Sequence, residues 1–104
     1  MNKMLDKTPE QQPVDKSRTL KLVYFAWVRE RVGLSTETAT VPKDVETILD
    51  LMAWLGERGP EYAEVFCDKK DVIRAAINQT HVAPETMLGD DAREIAFFPP
   101  VTGG

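Results

Sequence analysis

The stretch from Asp44 to Arg58 constrains this chain more than any other. Val45, Ile48, Leu49, Met52 and Leu55 recur at the spacing of one helix face, with Trp54 at the edge of that stripe. Asp44 is placed to cap the helix, and Glu46 adds negative charge to its first turn. Gly59-Pro60 stops it. The spacing therefore predicts one long helix over 45–58. A helix with a single apolar stripe has to bury it against another element. No second helix of comparable length is visible, so a sheet must supply the cover.

The strands for that sheet are legible. TLKLVYFA, residues 19–26, puts Leu20, Leu22, Tyr24 and Ala26 on one face and Lys21, Val23 and Phe25 on the other. A short helical turn follows from Trp27 and ends at Gly33. STETATV, residues 35–41, is rich in β-branched residues and should pair with the first strand as a hairpin with a long connection. EYAEVF, residues 61–66, reads as a short second helix. VIRAAIN, residues 72–78, is a third strand, with Asn78 and Gln79 shaping the turn into a very short fourth. PETMLGDDA is loop, and REIAFF, residues 93–98, is the last strand. The expected class is α+β, a small mixed sheet packed on one main helix.

Charge and composition narrow the function. Thirteen basic and seventeen acidic side chains give a net charge of −4. An acidic body disfavours nucleic acid, whose binding rests on neutralising phosphates, and an anionic membrane surface. It suits a basic protein partner better. One cysteine, Cys67, and one histidine, His81, leave no material for a disulfide or a multi-ligand metal site, so no metal is expected. The polar start lacks the apolar core of a signal peptide, and no apolar run approaches the ~20 residues of a membrane helix, so a cytoplasmic location is expected. Residues 1–19, with Pro9 and Pro13 among alternating charges, read as a flexible arm. The domain then covers 20–98, and 99–104 is an extended tail.

That tail, FFPPVTGG, is where chemistry is expected. In the last strand Ile95 and Phe97 share one face and Ala96 and Phe98 the other. With the first pair in the core, Phe98 faces outward as a candidate docking residue, or packs under the arm or the short helix. Pro99 and Pro100 stiffen the segment, so that six residues reach roughly 18 Å at ~3 Å each. Gly103 and Gly104 lack side chains and can thread a narrow channel. Taken as the end of the polypeptide, the Gly104 carboxylate can be adenylated by an ATP-using partner and converted to a thiocarboxylate. It would then be a sulfur nucleophile delivered at high effective concentration. No catalytic side chain on this chain is needed. A plain adaptor that binds through Phe98 without covalent chemistry is the alternative.

Three stretches carry a family likeness: YFAWVRERVG at 24–33, AAINQTHV at 75–82 and EIAFFPPVTGG at 94–104. Over residues 20–104 the chain resembles the sulfur-carrier small subunits of molybdopterin synthase, in the ubiquitin-like ThiS/MoaD family. The resemblance implies a ubiquitin-like β-grasp fold and a Gly104 terminus that an E1-like enzyme adenylates with ATP. A sulfur donor system then charges it. It implies delivery of sulfur to cyclic pyranopterin monophosphate inside a large subunit, within a heterotetramer, with no permanently bound cofactor and no catalysis by the carrier alone. Carried over by motif, Phe97, Phe98, Pro99, Pro100, Val101 and Thr102 contact and thread the partner, with Arg29 a further contact. Gly103 and Gly104 enter both active sites. Carriers for thiamine, tungsten cofactor, tRNA thiolation or protein conjugation share the same activation chemistry and are the alternative.

The chain departs from the family where an Asp-Gly-Asp turn often precedes the last strand. Here the segment is GDDARE, with Ala92 where that glycine would fall and Gly89 the nearest substitute. Trp27 also stands where smaller or polar residues are common. Cys67 reads as a small buried or half-buried thiol, with a sulfur relay as the alternative. His81 reads as a hydrogen-bonded sheet-edge histidine, with a partner contact as the alternative.

Overall fold

The computed structural model describes residues 17–100. Its elements run β1 (Arg18–Tyr24), α1 (Ala26–Val32), β2 (Thr36–Val41), α2 (Ile48–Gly56) and α3 (Pro60–Ala63). A single π turn (Glu64–Asp68) and a 3-10 turn (Lys70–Val72) lead on to β3 (Arg74–Ile77), β4 (Thr80–Val82) and β5 (Glu94–Phe98). The strands form one mixed sheet in the order β2-β1-β5-β3-β4. β1 pairs antiparallel with β2, as the expected hairpin requires, and parallel with β5. β5 in turn pairs antiparallel with β3. The helices cover one face and leave the other bare, as the helical stripe required, and the arrangement is the β-grasp that the resemblance implied.

The first strand begins one residue earlier than expected, at Arg18, so the boundary of the arm drawn at residue 19 falls inside it. Arg18 and Thr19, placed in the arm by their polarity, pair with Val41 and Thr40. The rest of the arm, residues 1–16, lies outside the described residues.

The main helix is shorter than its apolar pattern. It starts at Thr47, whose side-chain oxygen accepts from the Asp50 N–H at 3.0 Å, while the Asp50 carboxylate accepts from the Thr47 N–H at 3.2 Å. This reciprocal pair at a three-residue spacing outcompetes Asp44, which has no acid or amide three residues on to return the bond. The next two orphan N–H groups, of Ile48 and Leu49, donate to the carbonyls of Thr86 and Pro84 in the β4–β5 loop. Starting there, the buried stripe is Ile48, Leu51, Met52 and Leu55, with Val45 buried just ahead of the helix. Leu49, expected in the stripe, is 38% exposed, and Leu51 takes its place. A helix turns 100° per residue, so the neighbour of Ile48 falls on the flank and the residue three on falls inside.

Gly56, the last residue of α2, is buried against the turn that follows α3. A Cβ there would collide with the Cys67 sulfur. The π turn puts Val65 and Phe66 inside and leaves Cys67 exposed, not buried or half-buried as expected. Ala92 is buried in ordinary backbone, and the positive φ before β5 falls at Gly89, at 76°.

β1, α2, the π turn and β5 supply most of the core: Leu20, Leu22, Tyr24, Ile48, Leu51, Leu55, Phe66, Ile95 and Phe97 are each at most 1% exposed. Each such side chain contributes about 1.5–3 kcal/mol by leaving water. Glu37 on β2 ties the helices to the sheet edge. One of its oxygens accepts from the Tyr24 hydroxyl at 2.7 Å and the Tyr62 hydroxyl at 2.9 Å. The other accepts from Arg58 at 3.1 Å. The Arg58 guanidinium lies over the Trp54 and Tyr62 rings. Burial, and then the hydrogen bond to Glu37, push the Tyr24 phenol far above its usual range. The same two causes raise Tyr62. Among the described residues no helix is long and apolar enough to cross a membrane.

Two outcomes follow from these contacts. Thr47→Ala removes half of the cap and should cost about 1 kcal/mol in urea unfolding. The raised phenols mean that the folded chain keeps protons which the unfolded chain releases above about pH 10. Their contribution is intact below that pH and declines as pH rises through it. Tyr24→Phe should lower stability near neutrality by about 1–2 kcal/mol and flatten the fall in the urea midpoint between about pH 9 and pH 11.

Candidate functional site

β5 is the strand that carries the tail, and it lies at the centre of the sheet. It has hydrogen-bonded neighbours on both sides, and its first residues are fastened by Asn78. That residue and Gln79 take positive φ values of 49° and 73° in the two-residue turn between β3 and β4, the conformation such a hairpin turn requires and asparagine tolerates. The Asn78 side-chain oxygen accepts from the N–H groups of Arg93 and Glu94 at 2.9 and 3.1 Å. Its amide nitrogen donates to the Asp91 carbonyl at 2.9 Å. Its own N–H donates to the Glu94 carbonyl at 2.8 Å. The expectation that Asn78 and Gln79 shape a turn holds, and Asn78 also sets where β5 begins.

At the other end of β5 two phenylalanines part company. Phe97 is 0% exposed. Its ring stacks with Tyr24 at 6.4 Å and meets Phe66 edge-on at 4.9 Å. It was expected among the partner contacts. Strand alternation turns its side chain into the core instead, where it anchors the strand that carries the tail. Phe98 points to the bare face and is half-buried there, away from the short helix, with its ring 4.9 Å from that of His81 on the edge strand. Pro99 and Pro100 are also half-buried as the chain leaves the sheet. Val101, Thr102, Gly103 and Gly104 lie outside the described residues.

Beside Phe98 the bare face is hollowed into a groove of about 450 Å³. Ala76 and Ala96, directly paired across β3 and β5, form a floor with almost no side-chain height. Phe25, Phe98 and His81 form its walls, and Gln79 and Glu94 close the far end. Phe25 is 48% exposed. Its N–H donates to the Phe97 carbonyl at 3.1 Å, which extends the β1–β5 pairing to the root of the tail. Ala26, immediately after it, is held at φ 54°, a left-handed conformation that costs an alanine roughly 1–2 kcal/mol. That bend releases the chain into α1 while Phe25 stays on the bare face.

Sequence reasoning found Phe98 and missed Phe25 and the alanine floor. The alternation of TLKLVYFA had already put Val23 and Phe25 together. What it could not supply was the parallel pairing of β1 with β5, which sets Phe25 beside Phe98. His81 lies on the edge strand, as expected, but its side chain is exposed and meets the Phe98 ring rather than a hydrogen-bond partner among the described residues, and it forms one wall of the groove. Arg29, expected as a partner contact, is an exposed residue in the last turn of α1, whereas its neighbour Arg31 pairs with Glu64. Among the described residues, no three side chains of the types that bind metals gather together.

An apolar groove of this size beside a firmly paired strand end is suited in shape and chemistry to contact with another protein. A molybdopterin synthase sulfur carrier subunit of Escherichia coli is 40% identical over 85 residues, which are 82% of this chain and 99% of that protein. A human protein of the same description is 30% identical over 82% of this chain and 93% of its own length. Among solved structures, SAMP1 from Haloferax volcanii superposes with a TM-score of 0.63 at 27% identity, covering 84% of this chain and all of that one. The fold is thus ubiquitin-like as well as β-grasp. The sequence pattern of the ThiS family matches residues 22–104, which include both the groove and the terminal Gly-Gly, and the chain belongs to that family.

Proposed function

We propose that this chain is a sulfur carrier of molybdenum cofactor biosynthesis, working as the small subunit of molybdopterin synthase. The observation that carries the reading is the build of the tail root. A strand locked by the core on one face delivers Phe98, Pro99 and Pro100 beside an apolar groove on the other. Relatives described as sulfur carrier subunits, aligned over almost their whole length, support the choice of pathway.

In this reading an E1-like enzyme binds the chain and the Gly104 carboxylate oxygen attacks the α-phosphorus of ATP, expelling pyrophosphate. A sulfide equivalent from a donor system displaces AMP at the acyl carbon and leaves a thiocarboxylate. The charged chain then docks its groove on the large subunit, and Pro99 to Thr102 hold the terminus extended in that subunit's cleft. The thiocarboxylate sulfur attacks an oxygen-bearing carbon of cyclic pyranopterin monophosphate, and the new C–S bond forms as that carbon's C–O bond breaks and the oxygen departs. Water cleaves the acyl–sulfur bond, which leaves the sulfur on the pterin and restores the Gly104 carboxylate. Gly103 permits close approach at both enzymes because it has no Cβ. The carrier supplies position and a nucleophile, and the partners supply catalysis. Docking turns the transfer into a reaction between held neighbours.

The likeness to SAMP1 makes a carrier of related fold for another acceptor the second reading. Charging and acceptor are tested separately. Co-expression with the activating enzyme and donor should add the mass of one sulfur less one oxygen at Gly104, and a chain lacking Gly104 should show no such species. A charged wild-type chain mixed with the large subunit and cyclic pyranopterin monophosphate should form molybdopterin, seen as its fluorescent oxidation product. Charging without product formation, with another acceptor modified instead, would favour the second reading.

A further inference from the structure

The bare face of the sheet has a charge opposite to the rest of the molecule. Its register identifies the residues. Lys21 and Val23 on β1 alternate with the buried Leu20, Leu22 and Tyr24, and face the same way as Ala96 and Phe98. Thr36, Thr38 and Thr40 on β2 pair with Val23, Lys21 and Thr19 and add no charge. On β3, Arg74 alternates with the core residue Ala75 and stands directly opposite Phe98. On these strands the only carboxylate facing this way is Glu94, and Lys21 stands opposite it in the β1–β5 pairing. Arg74 is exposed, and among the described residues its guanidinium reaches only a backbone oxygen, that of Asp71, at 3.3 Å. A chain of net charge −4 therefore presents a sheet face with two cations, one anion and an apolar centre. The whole-chain charge pointed to a basic partner, and this face reverses that expectation.

We infer that Arg74 and Lys21 select the tail-receiving partner by its acidity. The occupant of the groove is a surface of the large subunit that places an apolar side chain over Ala76 and Ala96 and a carboxylate against Arg74, next to the tail exit. Opposite charges at a rim speed encounter and fix orientation, while like charges reject wrong partners. Arg74 is well placed for this task. It lies across from the last strand residue before Pro99, so any protein that takes up the tail has to pass it. This inference rests on the docking role given to the groove under the proposed function.

The test is association of the full chain with the large subunit of molybdopterin synthase from the same organism, followed by stopped-flow fluorescence in about 50 mM and about 500 mM salt. For the wild type, association should slow markedly in the higher salt. Arg74→Glu combined with Lys21→Glu should slow association about tenfold in low salt and should lose or invert the salt dependence. Arg74→Gln should lie between the two. All are exposed positions, and circular dichroism with thermal melting confirms that each variant folds. Phe98→Ala is measured alongside. If it leaves binding unchanged, the docking reading fails, and this inference fails with it. If it weakens binding while the charge-reversed chain associates as the wild type does in both salts, docking stands and the charge selection is overturned.

Discussion

The structure depends on the burial of Phe97. One ring, packed between Tyr24 and Phe66, fixes the last strand against the helical layer. Strand pairing on both sides then fixes its register, and a period of two leaves the next residue no choice of face. Phe98 is displayed because Phe97 is hidden. The conformation at the root of the tail is thus set by the hydrophobic core. Much of the ordering cost of presenting an extended segment is met when the chain folds, before a partner arrives.

Two polar fasteners complete that frame from opposite ends. Asn78 gathers the N–H groups of Arg93 and Glu94 at the start of β5. Glu37 collects two phenols and a guanidinium beneath its end, and so joins β1 and β2 to α3 and the segment after α2. Each is one short side chain that satisfies several groups whose alternative partner would be water. Such convergent bonds hold because every participant is paired.

Most of the fold was legible in the sequence because alternation and helical spacing are local. The strands, the stop at Gly33 and the inward Ile95 and Phe97 were all visible without coordinates. The cap was misplaced because Asp44 and Thr47 are both good capping residues, and only the reciprocal bond from Asp50 separates them. Leu49 was misassigned for the same reason: a shifted start rotates the wheel. The candidate site was legible in its motif and hidden in its surface. FFPP identifies the root, but the groove needs Phe25, Ala76, His81 and Ala96 from four different places in the chain. No local pattern reports that β5 inserts between β1 and β3. Net charge misled in a similar way, since an average over the whole molecule says little about one face.

The groove is built from side chains between Phe25 and Phe98, none of which changes chemically in the proposed cycle. Spent and loaded forms of the carrier therefore offer an identical docking face. In the proposed cycle a used molecule then competes with a fresh one for the same acceptor, which amounts to product inhibition by the carrier itself. The flux of that cycle is then set by the ratio of the two forms, and the speed of reloading matters as much as the amount of protein.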